Sequence, residues 1–159
     1  MRNPCLLSYV YSDMPTICTI GTTQKTLEQF IRLLQSAAVD AVIDVRLRNT
    51  SQLAGFAKKE DLSFLLREGF GIGYEHRPEL APSPEILDSY RRTADWHGYE
   101  STFLALLEQR DALAVGRDLL GRFRRPCLLC AEPTPDRCHR RLVAEWLAER
   151  MPGLEIVHL

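Results

Sequence analysis

An excess of charge of either sign is what this 159-residue sequence most plainly lacks: 20 Lys and Arg stand against 21 Asp and Glu, a net charge of −1. A dedicated nucleic-acid coat or a membrane-surface protein needs surplus positive charge, so both classes are disfavoured. A disulfide framework is missing too. The five cysteines are odd in number and sit in apolar runs rather than at framework spacings, which points to reduced thiols in a cytoplasmic setting. No secretion or spanning segment is apparent, because Cys5, Leu6 and Leu7 make the apolar core of Met1–Pro15 far too short for either. That leader reads as a loosely attached tail, with Met14 a second candidate start. No internal repeat, low-complexity tract or linker divides residues 16–159, which read as a single domain.

What is present is an alternation of short apolar runs and amphipathic segments. Thr16–Ile20 is a β-branched run ended by Gly21, and Thr26 caps a helix with Leu27, Phe30, Ile31 and Leu34 at helical spacing, running to about Ala38. Ala41–Val45 is apolar on both faces, as central parallel strands are. A helix is expected over Lys58–Phe70 and a strand over Ile72–His76. Two helices are expected between Pro82 and Gln109 and a further one over Ala112–Leu120. A strand at Pro126–Cys130, a helix at Arg137–Arg150 and a last strand at Leu154–His158 close the pattern. The order predicts a three-layer α/β/α fold with a mostly parallel central sheet of about five strands.

In such a sheet every strand's carboxyl end lies on one edge, where ligands bind. That edge collects Gly21-Thr22-Thr23, Asp44-Val45-Arg46 and Cys130-Ala131-Glu132 with the turn into Cys138. The surroundings are locally basic: seven arginines lie between Arg117 and Arg141, against Asp118, Glu132 and Asp136. Asp44 and Arg46, two apart, face the same side of a strand. They either orient an anionic ligand through the forked guanidinium or form a strand-end ion pair. Gly21 marks a tight turn or a phosphate approach, and a single glycine does not separate the two.

If Asp136 is the N-cap, Cys138 sits inside the first helical turn. There the helix terminus, His139 and Arg140 would lower its pKa and make it a nucleophile; otherwise it is a small packed residue. Glu132, at the strand mouth, is either a general acid/base or the partner of Arg137 or Arg140.

Sharper motif readings fail. Cys127 and Cys130 form a C-x-x-C within a strand, where odd spacing puts the sulfurs on opposite faces and excludes a redox pair or zinc knuckle. Cys130, Cys138 and His139 offer metal ligands, but adjacent Cys and His seldom reach one tetrahedral ion, so no metal is assigned. Cys130 and Arg137 are separated by six residues, one more than in a thiol-phosphatase loop, and Glu132 would repel a bound phosphate.

Thr19-Ile20-Gly21, Asp44-Val45-Arg46, Ala54-Gly55-Phe56, Pro78-Glu79-Leu80, Cys130-Ala131-Glu132 and Cys138-His139-Arg140, with His158 near the end, together resemble domain of unknown function family 488. The Cys-x-Glu and Cys-His-Arg segments are the most specific part. The resemblance implies a compact bacterial or archaeal α/β domain with its polar residues at one sheet edge, and it implies no particular reaction. Where the family often has Gly-His-Ser this chain has Gly21-Thr22-Thr23, so any role of that histidine is lost or passes to Thr22. Where Leu-Gly-Gly is frequent it has the stiffer Leu80-Ala81-Pro82.

Three functions follow. The first is an enzyme on a small anionic or nucleotide-like substrate, with Cys138, Glu132 and His139 catalytic and Gly21, Thr22, Asp44, Arg46 and Arg140 binding the ligand. The second is a non-catalytic binding or sensing module built on the same pocket. The third, a nucleic-acid accessory using Trp96, Tyr99 and Phe123 to stack bases, is disfavoured by the neutral charge. The motifs name no cofactor and no oligomeric state. Tyr90, Trp96, His97 and Tyr99 either form a lid over the edge or pack one helix on another.

Overall fold

A computed structural model describes residues 14–50 and 55–159. Cys5, Leu6, Leu7, Ala54 and most of the expected tail lie outside the described residues. Five strands, β1 (Thr16–Gly21), β2 (Ala41–Asp44), β3 (Gly73–His76), β4 (Pro126–Cys130) and β5 (Glu155–His158), form one sheet in the order β3-β2-β4-β1-β5. All four pairings are parallel. Among the described residues no helix is long and apolar enough to cross a membrane.

Period-2 alternation divides the strands between two cores. Cys18, Ile20, Val42, Cys127 and Leu129 face α1 (Leu27–Ser36) and α2 (Lys59–Phe64), the latter continuing as a π-helical turn, Leu65–Gly69. Ile17, Ile43 and Leu128 face the other four helices. These are α3 (Pro84–Thr93), α4 (Trp96–Gln109), α5 (Ala112–Arg122) and α6 (His139–Arg150). The three-layer α/β/α architecture is as the sequence predicts. Thr26 closes a capping box with Gln29 at the start of α1, satisfying two backbone donors that the helix leaves open.

One boundary differs, and it matters for the site. The last helix starts at His139 with Cys138 as its N-cap, not at Arg137 with Asp136 as cap. Arg137 takes a left-handed φ of 49°, and the Cys138 amide donates to the Pro135 carbonyl at 3.2 Å. A turn therefore occupies the positions where helical spacing suggests a first turn.

Connectivity creates the crevice. β1 and β2 are followed by helices on one face, whereas β4, lying between them, is followed by α6 on the opposite face. Chain segments thus diverge on both sides of the β4 end, the position where open α/β sheets receive ligands.

The β2 side of that crevice is fixed by one carboxylate. Asp44 is fully buried, and its Oδ1 accepts from the Arg46 amide at 3.1 Å and Arg46 Nε at 2.9 Å. Its Oδ2 accepts from Arg46 Nη2 at 2.6 Å, Asn49 Nδ2 at 3.2 Å and the Tyr74 hydroxyl at 2.5 Å. Arg46 Nη2 also reaches the Ala57 carbonyl at 2.9 Å, and His76 Nε2 donates to the Arg46 carbonyl at 2.8 Å. Burial pushes the Asp44 pKa up, but Arg46 and the Tyr74 hydroxyl outweigh it and hold the carboxyl below its ordinary value.

Asp44→Asn leaves the Arg46 guanidinium buried without its counter-charge. Urea unfolding is expected to show a loss of roughly 3–5 kcal/mol at neutral pH. The sign of the pH effect follows from the lowered pKa: the wild-type contribution is complete above about pH 4 and is lost as pH falls through the native-state value. Stability measured from pH 6 down to pH 2 should therefore converge between wild type and variant.

Candidate functional site

The loop leaving β4 is pinned from both flanks. The Thr22 amide donates to the Cys130 carbonyl at 3.1 Å, and the Thr23 amide and hydroxyl both donate to the Ala131 carbonyl, at 3.0 and 2.5 Å. From the β2 side the Val45 amide donates to the Leu129 carbonyl at 3.1 Å. Gly21 is what allows the loop so close. A Cβ there would lie 1.7 Å from the Glu132 carbonyl oxygen, so any side chain would expel the loop. Gly21 is thus a packing requirement of this edge, and the space it leaves is taken by protein.

Arg140 closes the same corner from beneath. It is fully buried, and its Nη1 donates to the Glu132 carbonyl at 2.7 Å and to Cys138 Sγ at 3.4 Å. Its Nε and Nη2 have no hydrogen-bond partner among the described residues. The expected role of Arg140 as a ligand-contacting group is corrected: a side chain with no exposed surface acts on the site through its charge and its hold on the loop.

Beside this corner lies a cavity of about 150 Å³ whose wall includes Arg46, Arg48, Arg91, Cys130 and His139. That volume admits a ring-sized or oxyanion-sized group and excludes a whole nucleotide. A hollow of about 490 Å³ at the opposite edge, near Met14 and Arg122, contributes no thiol or imidazole to its lining. The smaller cavity is the one lined by a thiol and an imidazole.

Cys130 ends β4 and is 5% exposed. Its sulfur lies 3.6 Å from His139 Nδ1, and His139 Nε2 is 2.8 Å from the Val45 carbonyl. A carbonyl only accepts, so Nε2 carries a hydrogen and Nδ1 is the nitrogen turned to the sulfur. Phe103 stands edge-on to the ring at 5.9 Å between centroids and packs it in place.

The two thiols of this corner are shifted in opposite directions. A hydrogen bond from the Cys138 thiol lowers the Cys130 pKa. Burial opposes this, while the Glu132 and Ala131 amides and the charge of Arg140 reinforce it. Cys138 is pushed up by that same bond to Cys130, then by burial and by repulsion from the neighbouring sulfur. As N-cap it sits before the first turn rather than within it. Cys130 is therefore the more acidic thiol of the pair, with Cys138 its donor. The signal for this was its position as the last residue of a central parallel strand. Cys18 and Cys127 lie on the other sheet face, both raised by burial, so Cys127 and Cys130 do part as the odd spacing requires.

Of the predicted site residues, Arg46 and His139 border the cavity. Asp44 is saturated by its own neighbours, the Thr22 amide is committed to Cys130, and the Glu132 carboxylate is exposed while its carbonyl is held by Arg140. Arg48, in the loop after β2, and Pro84, Leu87 and Arg91 of α3 were missed because neither segment carries a motif and each reaches the cavity only through the fold. Tyr90, Trp96, Tyr99 and Phe103 pack on one another at centroid distances of 5.0 to 6.2 Å, and Tyr99 is buried, which removes it as a base-stacking platform. The stated objection to a shared ion also lapses: Cys130 Sγ, Cys138 Sγ and His139 Nδ1 or Nε2 lie within 4.8 Å of one another.

No curated protein and no solved structure matches this chain. A family model described as "Domain of unknown function DUF488" matches residues 26–147, a span that takes in α1, the Asp44 cluster, the cavity and most of α6. The protein belongs to the DUF488 family.

Proposed function

We propose that the protein is a cysteine-dependent enzyme acting on a small anionic substrate, with Cys130 as nucleophile and His139 as its base. The observation that carries this reading is a thiol in the wall of a guanidinium-rimmed cavity, with an imidazole nitrogen 3.6 Å from the sulfur. Arg48 and Arg91 are exposed at the rim. Arg91 pairs with Asp88 across a largely exposed 3.2 Å contact, which is weak enough for an incoming anion to displace.

In the proposed reaction His139 Nδ1 takes the Cys130 proton, and the sulfur attacks the electrophilic atom of the substrate. The new bond to sulfur forms as the bond to the leaving group breaks, and the leaving group takes the proton from Nδ1. Water, deprotonated by Nδ1, then cleaves the adduct, restoring the thiolate and a protonated imidazole. The volume beside Cys130 limits the buried part of the substrate to its reacting group. Any larger portion, including a nucleoside, would remain over the rim.

Peptide-mapped alkylation tests this. Iodoacetate, an anion, is expected to modify Cys130 faster than neutral iodoacetamide at pH 7. Arg91→Ala should cut that preference roughly two- to fivefold, the scale of one exposed charge contact. Cys138→Ala removes the donor to the sulfur and should slow both reagents. Equal rates for the two reagents in wild type, or a Cys130 no faster than Cys127, would overturn the proposal.

A further inference from the structure

We infer that Cys130, Cys138 and His139 form a three-ligand site for a thiophilic divalent metal ion of the Zn²⁺ class, open to the cavity at the fourth position. Coordination rests on geometry alone; the consequence that the ion silences the nucleophile rests on the reading of Cys130 given above.

One donor distance is that of a tetrahedral centre, and the third donor lies close by. Sulfur at about 2.3 Å and nitrogen at about 2.0–2.1 Å from a tetrahedral ion are separated by about 3.5 Å, and Cys130 Sγ and His139 Nδ1 are 3.6 Å apart. The second sulfur completes a triangle with no edge longer than 4.8 Å. All three residues are buried. Two thiolates and an imidazole select zinc or a comparably soft ion over Mg²⁺ or Ca²⁺, which take oxygen ligands.

The surroundings of the donors suit a metal as well. His139 donates from Nε2 to the Val45 carbonyl, which fixes the tautomer and leaves Nδ1 as the coordinating atom. Arg140 Nη1 donates to Cys138 Sγ, a contact that a metal-bound thiolate receives more strongly than a neutral thiol. Arg140 forms no salt bridge among the described residues and keeps two donors without partners. Two thiolates match the charge of a divalent ion, and the one on Cys138 remains an acceptor for Arg140 Nη1.

The triangle also has the right opening. Cys130 and His139 both line the cavity, so a bound ion presents its remaining position there, as three-ligand zinc sites do. Binding releases the thiol protons of Cys130 and Cys138 to solvent and takes up both sulfurs and the Nδ1 lone pair. The metal-loaded form consequently has no free nucleophile or base, and metal availability would set how much of the protein is active.

Full-length protein is stripped with a chelator under reducing conditions and titrated with ZnCl₂ or CoCl₂. The expected result is one ion per chain, a Co²⁺ spectrum with sulfur-to-metal charge-transfer bands and tetrahedral d–d bands, and Cys130 alkylation that stops with Zn²⁺ and returns with chelator. Cys130→Ser, Cys138→Ser and His139→Ala should each weaken binding by roughly a hundredfold or more, beyond the 10- to 100-fold range of outer-shell changes. The wild-type Co²⁺ spectrum reports thiolate ligation directly, so the test does not depend on the variants folding. Absence of sulfur-to-cobalt bands, or Zn²⁺ retained equally by both serine variants, would overturn the inference. Fast Cys130 alkylation without metal binding sinks the metal and spares the nucleophile; tight binding with an unreactive metal-free Cys130 does the reverse.

Discussion

The Arg140 guanidinium, sealed beneath the end of β4, is the contact on which the geometry of this edge depends. It holds the Glu132 carbonyl at 2.7 Å in the space that Gly21 leaves open, and it touches the sulfur of Cys138. Burying a charge without a carboxylate partner is unfavourable by several kcal/mol, and two of its donors remain without partners among the described residues. That cost is offset only if negative charge sits nearby. The Cys130 sulfur, whose pKa the charge of Arg140 helps to lower, is the group placed to provide it. Fold and reactivity are coupled here through one side chain.

Asp44 does the corresponding work on the β2 side, and the two clusters differ in an instructive way. Five donor contacts converge on the Asp44 carboxylate, leaving it nothing to offer a ligand. It turns Arg46 into a fixed wall of the cavity rather than a mobile clamp. An anion at this site is met first by the exposed Arg48 and Arg91 and only then by a guanidinium whose Nε and Nη2 are already engaged. In the proposed function, recognition of charge lies at the rim and bond making at the floor.

Much of this was legible in the sequence because the decisive signals were local. Alternating apolar runs mark all five strands to within a residue or two, and Thr26 marks the start of α1. The i, i+2 spacing of Asp44 and Arg46 gives their pairing, and the odd spacing of Cys127 and Cys130 gives their separation across the sheet. What failed was a matter of single residues set by long-range contacts. Arg137 adopts a left-handed conformation that delays α6 by two positions, which moves Cys138 from the first turn to the cap. Tyr74 and Asn49 saturate Asp44 from β3 and from the loop after β2, and neither carries a motif.

The same shift of two residues accounts for the exchange of roles between the cysteines. A thiol inside the first turn of α6 would face the helix amides and lose its proton readily. At the cap, Cys138 instead meets another sulfur and a guanidinium, and it becomes the donor in that pair. Cys130 collects the stabilisation that sequence reasoning assigned to its neighbour: loop amides, a thiol donor and the field of Arg140. It does so at the end of a central strand whose two flanking strands send their chains to the opposite face. Sheet topology therefore decides which sulfur meets the cavity, and the loop conformation decides which one caps the helix.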